Sequence, residues 1–225
     1  MSVSLFPTGL QGIIYDCDGV MISSRAANTR FYNRVLAFFG MPPMSEEQEH
    51  YTYMATGMQS LYHILPEQLH PKIHEVITTK VFYADVVPYL TLMPDFSAFV
   101  SAIHAKGLKQ AMCTNRTQAG FEEILSFFHF PRYFDPIMTV SCVRPKPSPD
   151  GVIAICQAWQ CDPKAVLFIG DSVYDREAAY GGQVRFAAFN AIDCQGDLTV
   201  STYPELYAQL FPDSPALGGE KTGIS

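Results

Sequence analysis

The sequence predicts an α/β fold: a Rossmann-like parallel sheet core with helices on both faces and an inserted all-helical cap. Three observations lead there. Short apolar runs of strand length, bounded by polar or glycine turns, recur at 12–15, 108–113, 137–140, 166–169 and 184–189. From residue 92 onward, segments of helical period alternate with these runs, the order expected of βαβ units. Between the first two runs lies a long stretch with helical patterns and no clear strand.

The first run, Gly12-Ile13-Ile14-Tyr15, ends at an acidic cluster. In the stretch that follows, apolar residues recur at Phe31, Val35, Phe38 and Phe39, at Leu61, Ile64 and Leu65, and at Ile73, Ile77 and Val81. Breaks at Pro42-Pro43, Pro66 and Pro71 divide them into short helices, because proline lacks the backbone donor a helix interior needs. Downstream, Phe96, Phe99, Val100 and Ile103 form one apolar face, Phe121, Ile124, Leu125 and Phe128 a second, and Val152, Ile155, Cys156 and Trp159 a third. Pro149 opens the third. The expected division is a discontinuous core, 1–20 and 89–225, and a helical cap, 21–88. Residues 212–225, rich in Gly, Pro and small polar side chains, predict a loosely held tail.

At 225 residues the chain is long enough to bury a core without disulfides or a structural metal. Its 48% hydrophobic and 16% charged residues exclude a disordered chain, and no apolar run approaches the ~18 to 20 residues of a membrane span. The N-terminus has neither the basic nor the long apolar region of a secretory signal, so the expected location is the cytoplasm. The formal charge of −7 repels nucleic-acid backbones and anionic membranes, which leaves small molecules and divalent cations as partners. The six cysteines show no CxxC pair and no zinc spacing, so reduced thiols are expected.

Chemistry is concentrated at the ends of the predicted strands. Asp16-Cys17-Asp18-Gly19-Val20 follows the first, and residues two apart on an extended segment share a side, so Asp16 and Asp18 can converge. A solvated turn would account for Asp-x-Asp-Gly equally well. An EF-hand loop would not, since it wants an acid or amide near Val20 and glycine at Met21. Gly170-Asp171-Ser172-Val173-Tyr174-Asp175 follows another strand, with Asp171 and Asp175 on one face of a helix starting there. Helix capping alone also explains an acid at Asp175. Two acidic pairs after two strands would meet beyond the carboxyl ends of a parallel sheet, where such folds bind ligands. Hard oxygen ligands suit Mg²⁺ completed by water and substrate phosphate. Thr114 and Asn115 after a third strand, and Lys146 on a proline-stiffened loop after a fourth, could hold phosphoryl oxygens.

The ordered set Asp16-x-Asp18-Gly19-Val20, Thr114-Asn115, Lys146-Pro147 and Gly170-Asp171-x-x-x-Asp175 resembles the four motifs of the haloacid dehalogenase superfamily. The helical insert resembles the small cap of its phosphoglycolate phosphatase and β-phosphoglucomutase branch. The resemblance implies Asp16 as nucleophile, forming an aspartyl-phosphate, and Asp18 as general acid and then base. It implies Mg²⁺ held by Asp16, the backbone carbonyl of Asp18 and Asp171, with Asp175 completing or orienting the shell. Thr114 and Lys146 would bind the transferring phosphoryl. A carboxylate at Asp18 favours a phosphate ester, because superfamily members that cleave other bonds lack it. The implied activity is hydrolysis of a small phosphorylated metabolite, phosphoglycolate-like or a sugar phosphate. A phosphomutase is the alternative, and a non-catalytic phosphometabolite-binding module a more distant one.

Two departures matter. The mutases carry an Arg in the cap loop that here reads Thr56-Gly57-Met58-Gln59-Ser60-Leu61, which favours a hydrolase. Ser23 stands where relatives usually have Asp. Within that loop Gly57, Met58 and Gln59 are candidates for substrate specificity, set against gap-filling as the ordinary use of methionines and aromatics between short helices. His70 and His74 have a helical metal spacing but no third ligand, and are read as surface histidines.

Overall fold

The computed structural model describes residues 5–6, 8–191 and 193–217. Strand β1 (Gly12–Tyr15) leads to a two-residue strand, β2 (Ile22–Ser23), and then to four helices: α1 (Arg25–Phe38), α2 (Glu46–Met54), α3 (Gly57–Ile64) and α4 (His70–Thr79). A 3₁₀ segment, Tyr83–Tyr89, brings the chain back to β3 (Thr91–Leu92), which pairs antiparallel with β2. The remainder alternates: α5 (Phe96–Ala105), β4 (Lys109–Cys113), α6 (Gln118–Phe127), β5 (Ile137–Met138), α7 (Asp150–Trp159), β6 (Val166–Gly170), α8 (Val173–Gly181), β7 (Arg185–Phe189), β8 (Leu198–Val200) and α9 (Tyr203–Leu210).

Six strands form one sheet in the order β5-β4-β1-β6-β7-β8, every pairing parallel. Period-two alternation sorts its side chains between two apolar clusters. Ile13, Tyr15, Met112, Leu167, Ile169, Ala187 and Phe189 join α5, α6 and α9 on one side. Ile14, Ala111, Cys113, Val166, Phe168, Phe186 and Ala188 join α7 and α8 on the other. Strands covered on both faces must be apolar throughout, which is why they read as continuous runs. The first cluster continues into α1, α3 and α4 through Phe31, Val35, Leu61, Ile64 and Ile73.

Several local expectations shift. The run at 137–140 is a strand only at Ile137–Met138, because from Thr139 the chain turns: Cys142 N and Val143 N both donate to Thr139 O. In α1 the buried face is Ala27, Phe31, Tyr32, Val35 and Leu36, while Phe38 stays 49% exposed, so the stripe runs along the i, i+4 pairs and not through Phe38. Pro71 does not separate two helices. It lies in the first turn of α4, where a missing donor costs nothing. Helix α2 buries only Thr52, so its polar sequence carries no apolar period, and a Ser45/Gln48 capping box starts it.

Strand β8 and helix α9 were not expected between Phe189 and the tail. Tyr203, Leu206 and Tyr207 bury against the sheet, and Tyr203 Oη donates to Val20 O at 2.8 Å. The tail is attached as far as 217: Lys106 Nζ donates to Ser214 Oγ at 2.9 Å and Leu217 packs on the core. The rest of the expected loose tail, 218–225, and the first four residues lie outside the described residues. All six cysteines are free, four of them buried, and among the described residues no helix is long and apolar enough to cross a membrane.

Candidate active site

Strand β1 is central, and its parallel ladder continues one residue beyond it, with Asp16 N donating to Ile169 O at 3.0 Å. The Asp16 carboxylate is thereby fixed at the carboxyl end of the sheet, beside the end of β6 and the start of α8. Lys146 Nζ reaches it at 2.6 Å and Asp175 Oδ1 at 2.5 Å. Asp175 is the N3 residue of a capping box: its Oδ2 accepts from Ser172 Oγ at 2.6 Å and Ser172 N at 3.1 Å. Capping and site roles, alternatives in the sequence, coincide in one side chain. Gly170 makes room for it, since a Cβ there would overlap the Asp175 side chain.

Asp171 joins this group, and one oxygen from each of Asp16, Asp171 and Asp175 can lie within 4.8 Å of the others. Burial pushes the Asp16 carboxyl up, Lys146 opposes the shift, and the neighbouring carboxylates add to it. Burial and then Asp175 push Asp171 up to about 7. Burial works against the Lys146 charge, but Asp16 and Asp175 outweigh it and hold the ammonium well above its ordinary value. Two buried carboxylates on one ammonium, with the half-buried Asp171 beside them, leave a surplus of negative charge, and the all-oxygen donor set fits a hard divalent cation.

Asp18 faces elsewhere. Its oxygens accept from Arg116 Nε at 2.8 Å and Nη2 at 2.7 Å, and from Ser24 Oγ. Burial raises its carboxyl, but Arg116 and the hydrogen bonds from Arg116 and Ser24 prevail and lower it. Arg116 Nη2 also donates to Tyr83 Oη at 2.9 Å, and Tyr83 Oη donates to Asn28 Oδ1 at 2.8 Å. Asp18 thus lies in an ion pair with the strand-end loop, tied to the insert through Tyr83.

Thr114 is buried, with its N on Met138 O at 2.9 Å and its Oγ1 accepting from Arg116 N at 3.1 Å. Asn115 does not present a free amide. Its Oδ1 accepts from Lys146 N at 2.8 Å and its Nδ2 donates to Lys146 O at 3.1 Å, so both ends brace the Lys146 backbone. A cavity of about 470 Å³ opens over Asp16, Asp18 and Lys146, roofed by Tyr53, Met54, Gly57 and Met58. Gln59 is not among its lining residues: it closes the α3 capping box, Oε1 accepting from Thr56 N at 3.1 Å. His70 is only half surface, its Nε2 2.9 Å from Leu65 O, and His74 is exposed.

Arg116, Ser24, Tyr83 and Tyr53 were missed as site residues. Arg116 adjoins Thr114-Asn115 and Tyr53 lies in the aromatic-rich stretch, but nothing local in the sequence names their partners.

Residues 13–189 match the sequence model of the haloacid dehalogenase-like hydrolases. A phosphoglycolate phosphatase from Cereibacter sphaeroides is 28% identical over 188 residues, covering 80% of this chain and 85% of that protein. A HAD-superfamily hydrolase of subfamily IA from Geobacter sulfurreducens superposes with a TM-score of 0.73 at 28% identity, over 89% of this chain and 96% of that one. The CbbY structure from Rhodobacter sphaeroides in complex with phosphate shares the fold, with a TM-score of 0.75 at 20% identity over 89% and 99% of the two chains. With the match spanning the sheet from β1 to β7, the chain belongs to the haloacid dehalogenase-like hydrolase family.

Proposed function

We propose that this chain is a Mg²⁺-dependent phosphatase of small phosphorylated metabolites that works through an aspartyl-phosphate at Asp16, with residues 21–88 acting as a cap over a core of 1–20 and 89–225. The observation that carries the reading is the meeting of Asp16, Lys146, Asp171 and Asp175 at the carboxyl end of the central strands. The likeness to phosphoglycolate phosphatases supports a phosphomonoester as substrate. The cap loop 56–61, without an arginine, supports transfer to water and not to a sugar.

Mg²⁺ held by Asp16, Asp171 and the backbone carbonyl of Asp18, with Asp175 completing or orienting the shell, would supply the charge neutralisation that lets an anionic nucleophile meet an anionic phosphate. Asp16 attacks phosphorus as the ester P–O bond breaks, and Asp18, protonated from solvent once its ion pair with Arg116 opens, gives that proton to the departing alkoxide. Asp18 then takes a proton from the water that attacks the phosphoryl group, releasing inorganic phosphate and regenerating Asp16. To do this Asp18 exchanges Arg116 and Ser24 for the leaving oxygen. Lys146 offsets charge on Asp16 and the phosphoryl oxygens, Asn115 fixes the Lys146 backbone, and the Thr114 hydroxyl donates to the phosphoryl group.

The test is phosphate release across a panel of phosphorylated metabolites with Mg²⁺. Asp16→Asn is expected to lower turnover at least ~10³-fold with the fold intact, and acid-quenched wild type to carry phosphate on Asp16 by mass spectrometry. Full activity in Asp16→Asn would overturn the covalent route. Ca²⁺ in place of Mg²⁺ is expected to suppress turnover, because the larger ion accepts looser coordination.

A further inference from the structure

Tyr53 reaches from α2 to the acidic group. Its Oη donates to Asp171 Oδ2 at 2.6 Å. The Arg25 guanidinium lies 5.1 Å from the centre of its ring. Beneath it is Gly19, at φ 72°, where a Cβ would overlap Asp171 and stand 2.6 Å from the Tyr53 hydroxyl. The hydroxyl therefore sits between a carboxylate and bare backbone, with the guanidinium over the ring. Tyr53 is also a wall shared by the 470 Å³ cavity and a second of about 390 Å³ bordered by Arg25, His50 and Asn190.

A carboxylate has two oxygens, and here they are divided. Tyr53 engages Oδ2, and among the described residues none hydrogen-bonds Oδ1. We propose that Tyr53 is a positioning residue that orients Asp171 for the cation and couples cation binding to the seating of α2 over the site. The proposal rests on the metal-dependent reading above. A hydrogen-bonded partner behind a metal ligand fixes its orientation, and its removal typically weakens metal binding by 10- to 100-fold. The coupling is reciprocal: a cation that fixes Asp171 strengthens the Tyr53 contact, and a substrate that holds α2 down tightens the cation. Met54, which ends α2, and Met58 at the start of α3 line the cavity beside this contact.

Tyr53→Phe removes only the hydroxyl. Calorimetric titration of the metal-free chain with Mg²⁺ is expected to show a dissociation constant at least ~10-fold higher in this variant, with the melting temperature reporting that the fold is kept. Tyr51→Phe, on the same helix with its ring against His63, is expected to match wild type. Hydrogen exchange adds a readout independent of turnover: Mg²⁺ is expected to slow exchange in residues 46–54 of wild type and not of Tyr53→Phe. Equal or tighter Mg²⁺ binding by Tyr53→Phe overturns the role of Tyr53 while leaving the metal site standing. A wild type that binds no Mg²⁺ overturns both.

Discussion

Asp18 and Arg116 show how far one ion pair constrains a carboxylate at the end of the central strand. The pair holds the Asp18 carboxyl low in spite of burial, so its stabilisation is complete above about pH 4 and fades as pH falls through the lowered value. Arg116→Gln strands that carboxylate. Asp18 is 21% exposed and Arg116 12%, so the expected loss at pH 7 is about 2 to 3 kcal/mol, below the value for a fully buried pair. Chemical denaturation should find the gap to wild type narrowing below about pH 4, and a gap constant with pH would assign the loss to packing. Met58 lines the cavity at 36% exposure, so Met58→Ala is expected to reorder a metabolite panel by kcat/KM while hydrolysis of a small generic ester holds. Gln59→Ala, which loses only a capping bond, is expected to leave that order unchanged.

At the scale of elements, legibility followed periodicity. β1, β4, β6 and β7 were readable because burial on two faces requires an unbroken apolar run, and Asp16 and Asp171 because they interrupt such runs at one end. Lys146 stood out through its prolines. Strand β8 is three residues long, α9 buries one short face, and α2 starts on a capping box with a single buried residue, so none carries a period long enough to register. The Asp18–Arg116 and Tyr53–Asp171 contacts were invisible for another reason: each joins residues from separate elements that only the tertiary fold brings together. Helix α9 nonetheless reaches the site loop, since Tyr203 Oη satisfies the buried Val20 carbonyl. Tyr203→Phe leaves that carbonyl unpaired, with an expected cost of about 1 to 2 kcal/mol by thermal or urea unfolding. No loss of stability would mean that the loop finds another donor.

For the whole molecule, the charge of −7 acquires a location and a pH dependence. With Asp171 near 7 in the fold and near ~3.9 unfolded, the folded metal-free chain holds that proton more tightly. Its stability is therefore expected to fall as pH rises from about 4 to 7 and to level off above. A cation competes with the same proton, so Mg²⁺ should raise the melting temperature more at pH 8 than at pH 5. Thermal scans at both values check this, and an equal rise at both would detach the cation from Asp171.

The central position of β1 has a consequence for the growing chain on the ribosome. Its partners are β4 and β6, Gly12 pairing with Lys109 and with Val166, so the strand that carries Asp16 is made first and is flanked on both sides only once the fourth strand of the sheet in chain order is made. Until Gly170 has emerged, Ile13, Ile14 and Tyr15 lack at least one neighbour and offer an apolar edge to other chains. Synthesis that stalls before β6 therefore yields both an aggregation hazard and a protein without its acidic centre. The arrangement that puts Asp16 in the middle of the sheet defers the appearance of activity until most of the polypeptide exists.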